Sequence, residues 1–369
     1  MAQHSTWTVK LGNVAGTPIR VHLTFLLLLA LVAFDASADG GNPVPELLFI
    51  LALFGAVLAH ELGHALMALR FGIKTREIIL YPFGGIASLL REAGPRAELV
   101  ISAAGPLVNA FIAMALAPWA ETPTDPAQLA SASFITKFFA TNVVLVVFNL
   151  IPAFPMDGGR ILRSILTIVG ARDPTGIAVR VSQGASILLG ITALLTMNIF
   201  LVLVATIVFS NSVQELVRSR ALVASKELRA EQAMIPIQSL TVFPHGMTIP
   251  QAVNRAVRSF QPIFPVVHSQ TLLGFIEKQT LLRAAATGDE NDYVSGLIQK
   301  DFRVVAPEEP VSKVSELFQD RAADFVFVVL EGTLVGTILK EQLMELLLVE
   351  GLRSEARLEG DAGEDEAPF

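Results

Sequence analysis

The chain has 369 residues, 52% of them hydrophobic and 17% charged, with a mean hydropathy of +0.57 and a formal net charge of -7. This is too apolar for a soluble protein of such length, and the acidic balance without any basic stripe speaks against nucleic acid as a partner. Zero cysteines exclude disulfides, iron–sulfur clusters and thiolate metal sites, so any metal here must be held by histidine and carboxylate.

Residues 1–20 lack the basic, apolar and small-residue order of a signal peptide and are expected to remain as a cytoplasmic N-terminal segment. Apolar runs of the length that a hydrocarbon layer of about 30 Å demands follow near 21–35, 46–70, 97–118, 134–155, 176–197 and 198–217. They predict a polytopic α-helical membrane protein with about six transmembrane helices, its membrane domain covering 21–217. Residues 33–45 and 119–133 contain no Lys or Arg, whereas Lys10, Arg20, Arg70, Lys74, Arg160 and Arg218 fall at the alternate ends of the runs. By the positive-inside rule both termini face the cytoplasm. Between the second and third runs lies "TREIILYPFGGIASLLREAGP", residues 75–95, too short and Gly-broken to span yet too apolar for a free loop. A re-entrant hairpin turning at Gly84 and Gly85 and covered by the helices fits it. An interfacial helix is the other reading of so short an apolar run.

Within the second run, "FGAVLAHELGHALMAL" places His60, Glu61 and His64 in apolar surroundings. On a helix, positions i and i+4 share a face, so the two imidazoles can meet one metal with Glu61 alongside. This is the H-E-x-x-H pattern, in which the glutamate is general base to a zinc-activated water. Ionisable groups at membrane depth are rare and mark function. A zinc hydrolase needs a third protein ligand and an open position. Of the other histidines only His22 lies in a span. Asp157 is the better candidate, because Pro152 and Pro155 in "FNLIPAFPMDGGR" break the end of the fourth run and a broken helix at depth must line a cavity. Read by turn chemistry alone, the same residues form a plain cytoplasmic turn.

"HELGH" followed, after the fourth run, by "FNLIPAFPMDGGR" resembles the site-2 protease family of intramembrane zinc metalloproteases, over about residues 15–217. The resemblance implies one zinc ion per chain bound by His60, His64 and Asp157, with Glu61 as catalytic base. "YPFGGIASL" looks like the family's membrane-embedded hairpin, which would offer an edge at Gly84 and Gly85 to an extended substrate. "AAGPLVNAFIA" is similar to the family's Ala-Gly-Pro-x-x-Asn element and implies a substrate or oxyanion contact at Asn109; Asn149 opens the family's Asn-x-x-Pro-x-x-Pro-x-Asp-Gly run. The expected function is hydrolysis of peptide bonds in or near transmembrane segments of membrane-anchored proteins, in a bacterial cell membrane, with lipid around it. The competing reading from another class is a metal-ion transporter or sensor, from which Glu61 distinguishes the protease.

After residue 217 charge becomes common and the apolar runs shorten. A linker is expected over 218–233, then a repeat over 234–350. "IFPVVH" and "FVFVVL" are matching apolar strands, followed by "LLGFIEKQTLL" and "LVGTILKEQLM". This predicts an α/β module paired with its copy. The order looks like a tandem pair of CBS domains, which implies an adenine nucleotide such as ATP in the cleft between repeats, or a role in dimerisation or substrate docking. Neither Gly274 nor Gly336 is followed by the family's Asp; Lys278 and Lys340 could instead meet phosphate as point charges. The acidic end, 351–369, reads as disordered.

Overall fold

The computed structural model describes residues 7–38, 42–82, 84–89, 93–121, 126–287, 292–319 and 324–364. Two compact units share the chain, Met1–Leu216 and Val217–Phe369.

The first unit opens with strands β1 (Thr8–Val14) and β2 (Thr17–His22), then helices α1 (Leu23–Ala38) and α2 (Val44–Arg70), strands β3 (Thr75–Tyr81) and β4 (Gly84–Leu89), and helices α3 (Pro95–Leu116), α4 (Pro126–Ser131), α5 (Phe134–Leu150), α6 (Asp157–Ile168), α7 (Pro174–Leu195) and α8 (Ile199–Glu227). Four of these are long and apolar enough to cross a membrane: Val44–Arg70, Pro95–Trp119, Pro174–Leu195 and Ile199–Glu227. Leu107, Phe111 and Met114 on α3 and Leu194 and Leu195 on α7 are exposed, as apolar side chains facing lipid must be. The other two expected spans are shorter apolar helices, Leu23–Asp35 and Phe134–Leu150. The second of these stops early because Pro152 cannot continue it.

The N-terminal segment is not a free tail. β1 and β2 form a hairpin whose two-residue turn, Ala15-Gly16, has both φ angles positive, the geometry that matches strand twist. β2 then pairs in parallel with β3, Ile19 opposite Ile78, and β3 with β4, giving a four-stranded sheet in the order β1-β2-β3-β4. Val21 and Leu80 from this sheet pack with Phe25 of α1 and Phe54 of α2. The segment from 75 is therefore a β-hairpin, and β4 is the outer strand of its sheet.

The second unit contains α9 (Ala230–Ala233), β5 (Ile235–Pro236), β6 (Phe243–Pro244), α10 (Ile249–Val257), β7 (Ile263–His268), β8 (Thr271–Glu277), α11 (Lys278–Thr287), β9 (Val304–Val305), α12 (Val311–Gln319), β10 (Phe325–Leu330), β11 (Thr333–Leu339) and α13 (Lys340–Glu364). Strand, helix, hairpin and helix occur twice in the same order. The β7–β8 and β10–β11 hairpins even carry their irregularity at the same place, between Val266 and Val267 and between Val328 and Val329. The copies join through β8 and β11 in one sheet, β6-β7-β8-β11-β10-β9, with β5 on β11. Two expectations change here. Residues 218–227 and 230–233, expected as part of a linker, are helical, and Ala224, Ala230 and Ala233 belong to this unit's core. The acidic end is helical through Glu364; Leu, Ala, Glu and Arg are strong helix formers, and Arg353 bonds Glu350 one turn back at 2.6 Å. Residues 365–369 lie outside the described residues.

Candidate metal centre

His60 and His64 stand one turn apart on α2, as their spacing requires. The carboxylate of Asp157 comes from the start of α6, 97 residues further on. What brings it there is the break after α5. Residues 151–156 are irregular, with Ala153 N–H donating to the Ile151 carbonyl and Phe154 N–H to Ser182 Oγ on α7. α6 then restarts hard against the preceding chain: a Cβ at Gly158 would sit 2.2 Å from the Ile151 carbonyl oxygen. Only glycine admits that approach, and it sets Asp157 at the first turn.

The three ligand-type atoms converge. His60 Nε2 and His64 Nε2 are 3.0 Å apart, and each is 3.2 Å from Asp157 Oδ2. A tetrahedral zinc ion with bonds of about 2.0–2.1 Å keeps its ligand atoms about 3.3 Å apart, so the triangle has the right size. Its chemistry fits as well. His60 Nδ1 faces Asn109 Oδ1 at 2.6 Å and His64 Nδ1 faces the Ile101 carbonyl at 2.7 Å. Both Nδ1 atoms therefore carry protons, and both Nε2 lone pairs turn inward toward a carboxylate oxygen. Three electron-rich atoms pointed at one another in a buried space are favourable only around a cation. Among the described residues no other group of three His, Asp or Glu side chains comes as close.

Gly105 of α3 forms the floor. A Cβ there would lie 2.3 Å from His64 Nε2 and 2.6 Å from His60 Nε2, so the residue must be glycine for the imidazoles to occupy their places. Glu61 projects beside the group toward β4, where a Cβ on Gly85 would be 3.1 Å from Glu61 Oε1. The backbone of the outer strand thus passes the carboxylate at contact distance.

The remaining expected residues divide. Asn109 is fully buried and its amide engages His60 on one side and Asn142 on the other. It is a support behind the histidine. Asn149 is half-buried in the last turn of α5 and donates to the Leu145 carbonyl at 3.0 Å. Asn142, itself fully buried, was not singled out from the sequence; the signal available was an amide inside the apolar stretch 140–148.

A His-Glu-x-x-His helix and an inward aspartate, set among helices able to cross a membrane, define a membrane metalloprotease. The profile of peptidase family M50 matches residues 48–123 and 119–193, and that of the CBS domain matches 294–349. The zinc metalloprotease MJ0392 of Methanocaldococcus jannaschii is 31% identical over 353 residues, 95% of this chain and 99% of the relative. A putative zinc metalloprotease, sll0528 of Synechocystis, is 28% identical over 92% of this chain and 95% of its own. The solved site-2 protease from Methanocaldococcus jannaschii is 32% identical, covers 57% of this chain and 95% of its own, and superposes with a TM-score of 0.42. The chain belongs to peptidase family M50: it is a zinc metalloprotease of the site-2 protease type, carrying a C-terminal CBS domain.

Proposed function

We propose that the protein cleaves membrane-anchored proteins in or near their transmembrane segments, with His60, His64 and Asp157 holding the zinc ion and Glu61 as general base. The triangle of two Nε2 atoms and one carboxylate oxygen, 3.0–3.2 Å on a side, carries this reading. A zinc ion bound there supplies Lewis-acid polarisation of the scissile carbonyl and an activated water. Glu61 takes a proton from the attacking water and passes it to the leaving amine. A substrate helix hides its carbonyls in its own hydrogen bonds and must unwind before attack, so an extended segment is the form to be bound. The outer edge of β4, beginning at Gly84 and Gly85 beside Glu61, suits an added strand, and Asn149 in the last turn of α5 is assigned to the substrate's backbone.

In the membrane we place six spans, with α1 and α5 as the short pair and the β3–β4 hairpin as a re-entrant element. Both termini lie in the cytoplasm, following the Lys and Arg distribution. Counted from residue 46, His60 lies about 21 Å along its helix at about 1.5 Å per residue, nearer the cytoplasmic side, from which water has the shorter path.

For the tail we propose control of the protease by an adenine nucleotide. The site offered is an open cleft of about 650 Å³ in the first repeat rather than between the repeats, where Thr241, Arg255 and Arg258 line the wall and two guanidinium groups suit phosphate. The ammonium of Lys278 is already engaged with the Ser259 carbonyl at 2.7 Å, so the arginines replace it in this role. Millimolar ATP is expected to change cleavage rate in the full-length protein, and the double variant Arg255→Ala/Arg258→Ala to be insensitive. Glu61→Gln tests the catalytic assignment: zinc stays bound while cleavage of a membrane-anchored substrate in detergent is lost. Cleavage that survives the substitution removes Glu61 from its role, whereas a parent protein that binds zinc and cleaves no membrane-anchored substrate favours a metal transporter or sensor.

A further inference from the structure

His60 ends a chain of hydrogen bonds that leads away from the metal centre. Its Nδ1 meets Asn109 Oδ1 at 2.6 Å, Asn109 Nδ2 donates to Asn142 Oδ1 at 3.0 Å, and Asn142 Nδ2 donates to the Phe138 carbonyl at 2.9 Å. Both asparagines are 0% exposed, so water cannot stand in for a missing partner. The direction of the chain follows from its far end. A backbone carbonyl only accepts, so the amide of Asn142 must turn its NH₂ group to Phe138 and its oxygen toward α3. Asn109 must then present its NH₂ group to Asn142, which leaves its oxygen for His60. That oxygen can only be met by a protonated Nδ1. The lone pair of His60 is thereby confined to Nε2, the atom that faces His64 and Asp157.

We propose that Asn142 is a positioning residue that fixes the protonation form of His60 through Asn109, so that the imidazole presents Nε2 for metal binding. The proposal rests on the reading of His60 as a metal ligand. The two histidines are governed by different devices. His64 is set directly by the Ile101 carbonyl on α3, which no side-chain substitution removes. His60 has no backbone carbonyl in that role and depends on an amide that could rotate by 180° with little change in shape. Asn142 prevents the rotation, because a flipped Asn109 would point NH₂ at His60 and oxygen at oxygen.

The test is zinc affinity of the full-length protein in detergent, measured by competition with a chromophoric chelator. Asn142→Leu keeps the branched shape of the side chain and removes both the acceptor and the donor; a 10–100-fold weaker affinity is expected, the range found when groups behind a metal-ligating histidine are removed. Asn142→Asp keeps an acceptor facing Asn109 and is expected to bind at least about five-fold more tightly than the Leu variant, recovering a good part of a 10–100-fold loss. His60→Ala, run alongside, separates the two readings: unchanged affinity there overturns the ligand assignment and with it the relay. Loss in His60→Ala together with unchanged affinity in Asn142→Leu overturns the relay alone. Should Asn142→Leu fail to fold, the unsubstituted protein decides. In zinc-loaded protein labelled with ¹⁵N-histidine, the His60 signal, identified by its absence in His60→Ala, is expected to carry its proton on Nδ1. An unprotonated Nδ1 overturns the proposal.

Discussion

Single residues at the metal centre are held to tolerances smaller than a methyl group, and Gly105 shows it most directly. Its hypothetical Cβ falls 2.3 Å from one imidazole and 2.6 Å from the other, and neither ring can retreat, since each is tied through Nδ1. Gly105→Ala is therefore expected to lower proteolysis at least about 100-fold and to weaken zinc binding about 10–100-fold, while circular dichroism of the helices stays unchanged. Activity within a few-fold of the parent would show that the histidines can repack. Removing zinc with a chelator should abolish cleavage in the parent, and restoring zinc should return it. The ligand-type residues were legible in the sequence because local geometry decides them: four residues is one helical turn, and a carboxylate next to two prolines marks a break at depth. Asn109 was legible as a feature, while its bonds to His60 and Asn142 were not, because a motif does not say which way an amide points. Asn142 offered only an amide in an apolar stretch and nothing to say what it meets; its partner lies 33 residues away and only packing of α3 against α5 brings them together.

At the scale of elements, α6 must be anchored if Asp157 is to stay in place, and the anchor is Arg163. Its guanidinium bonds Glu98 of α3 and Glu215 of α8, Ser164 Oγ donates to Glu98 at 2.8 Å, and the charge lies 5.6 Å above the Phe154 ring. About one-fifth of each ionic side chain remains exposed. Arg163→Met leaves two carboxylates facing each other; removing one partner of a fully buried pair costs about 3–5 kcal/mol, and the residual exposure puts this case at the lower end, about 3 kcal/mol. A lower thermal midpoint in detergent and weaker zinc binding are expected together, since the same helix carries both groups. An unchanged midpoint would deny the anchor. The apolar helices were readable from composition and length, whereas the sheet was not. β2 shows alternate burial in "TPIRVH", yet its partner β3 begins more than fifty residues later and runs parallel. No local pattern announces such pairing, and so the N-terminal segment reads as a tail until Ile19 is found opposite Ile78.

For the chain as a whole, the repeat was visible because each copy spells out strand, helix and hairpin, and the break at residue 217 coincides with the division between Leu216 and Val217; that the stretch directly after it packs into the second unit was not visible. Charge rises after residue 217, which suggests a linker; the core contradicts it. Ala224, Ala230 and Ala233 are buried with Val311, Val326 and Leu343, and Leu228 packs against them. The backbone of this stretch is paired as well: Ala230 N–H donates to the Glu309 carbonyl at 2.8 Å, Glu231 N–H to Pro307 at 2.9 Å, and Val311 N–H returns a bond to Leu228 at 2.9 Å. A fragment starting at 234 discards three buried methyl groups and most of a leucine, at about 0.8 kcal/mol per buried carbon, and leaves several backbone groups of 307–311 without partners. Urea unfolding of a 217–364 fragment and a 234–350 fragment should therefore differ by about 3 kcal/mol or more, which is a large share of the 5–15 kcal/mol typical of a folded domain. The shorter fragment is expected to unfold at lower urea with a broader transition, because the α12 edge of its core is opened. Equal midpoints for the two would mean that 217–233 joins the units without belonging to either, as the charge pattern alone suggests.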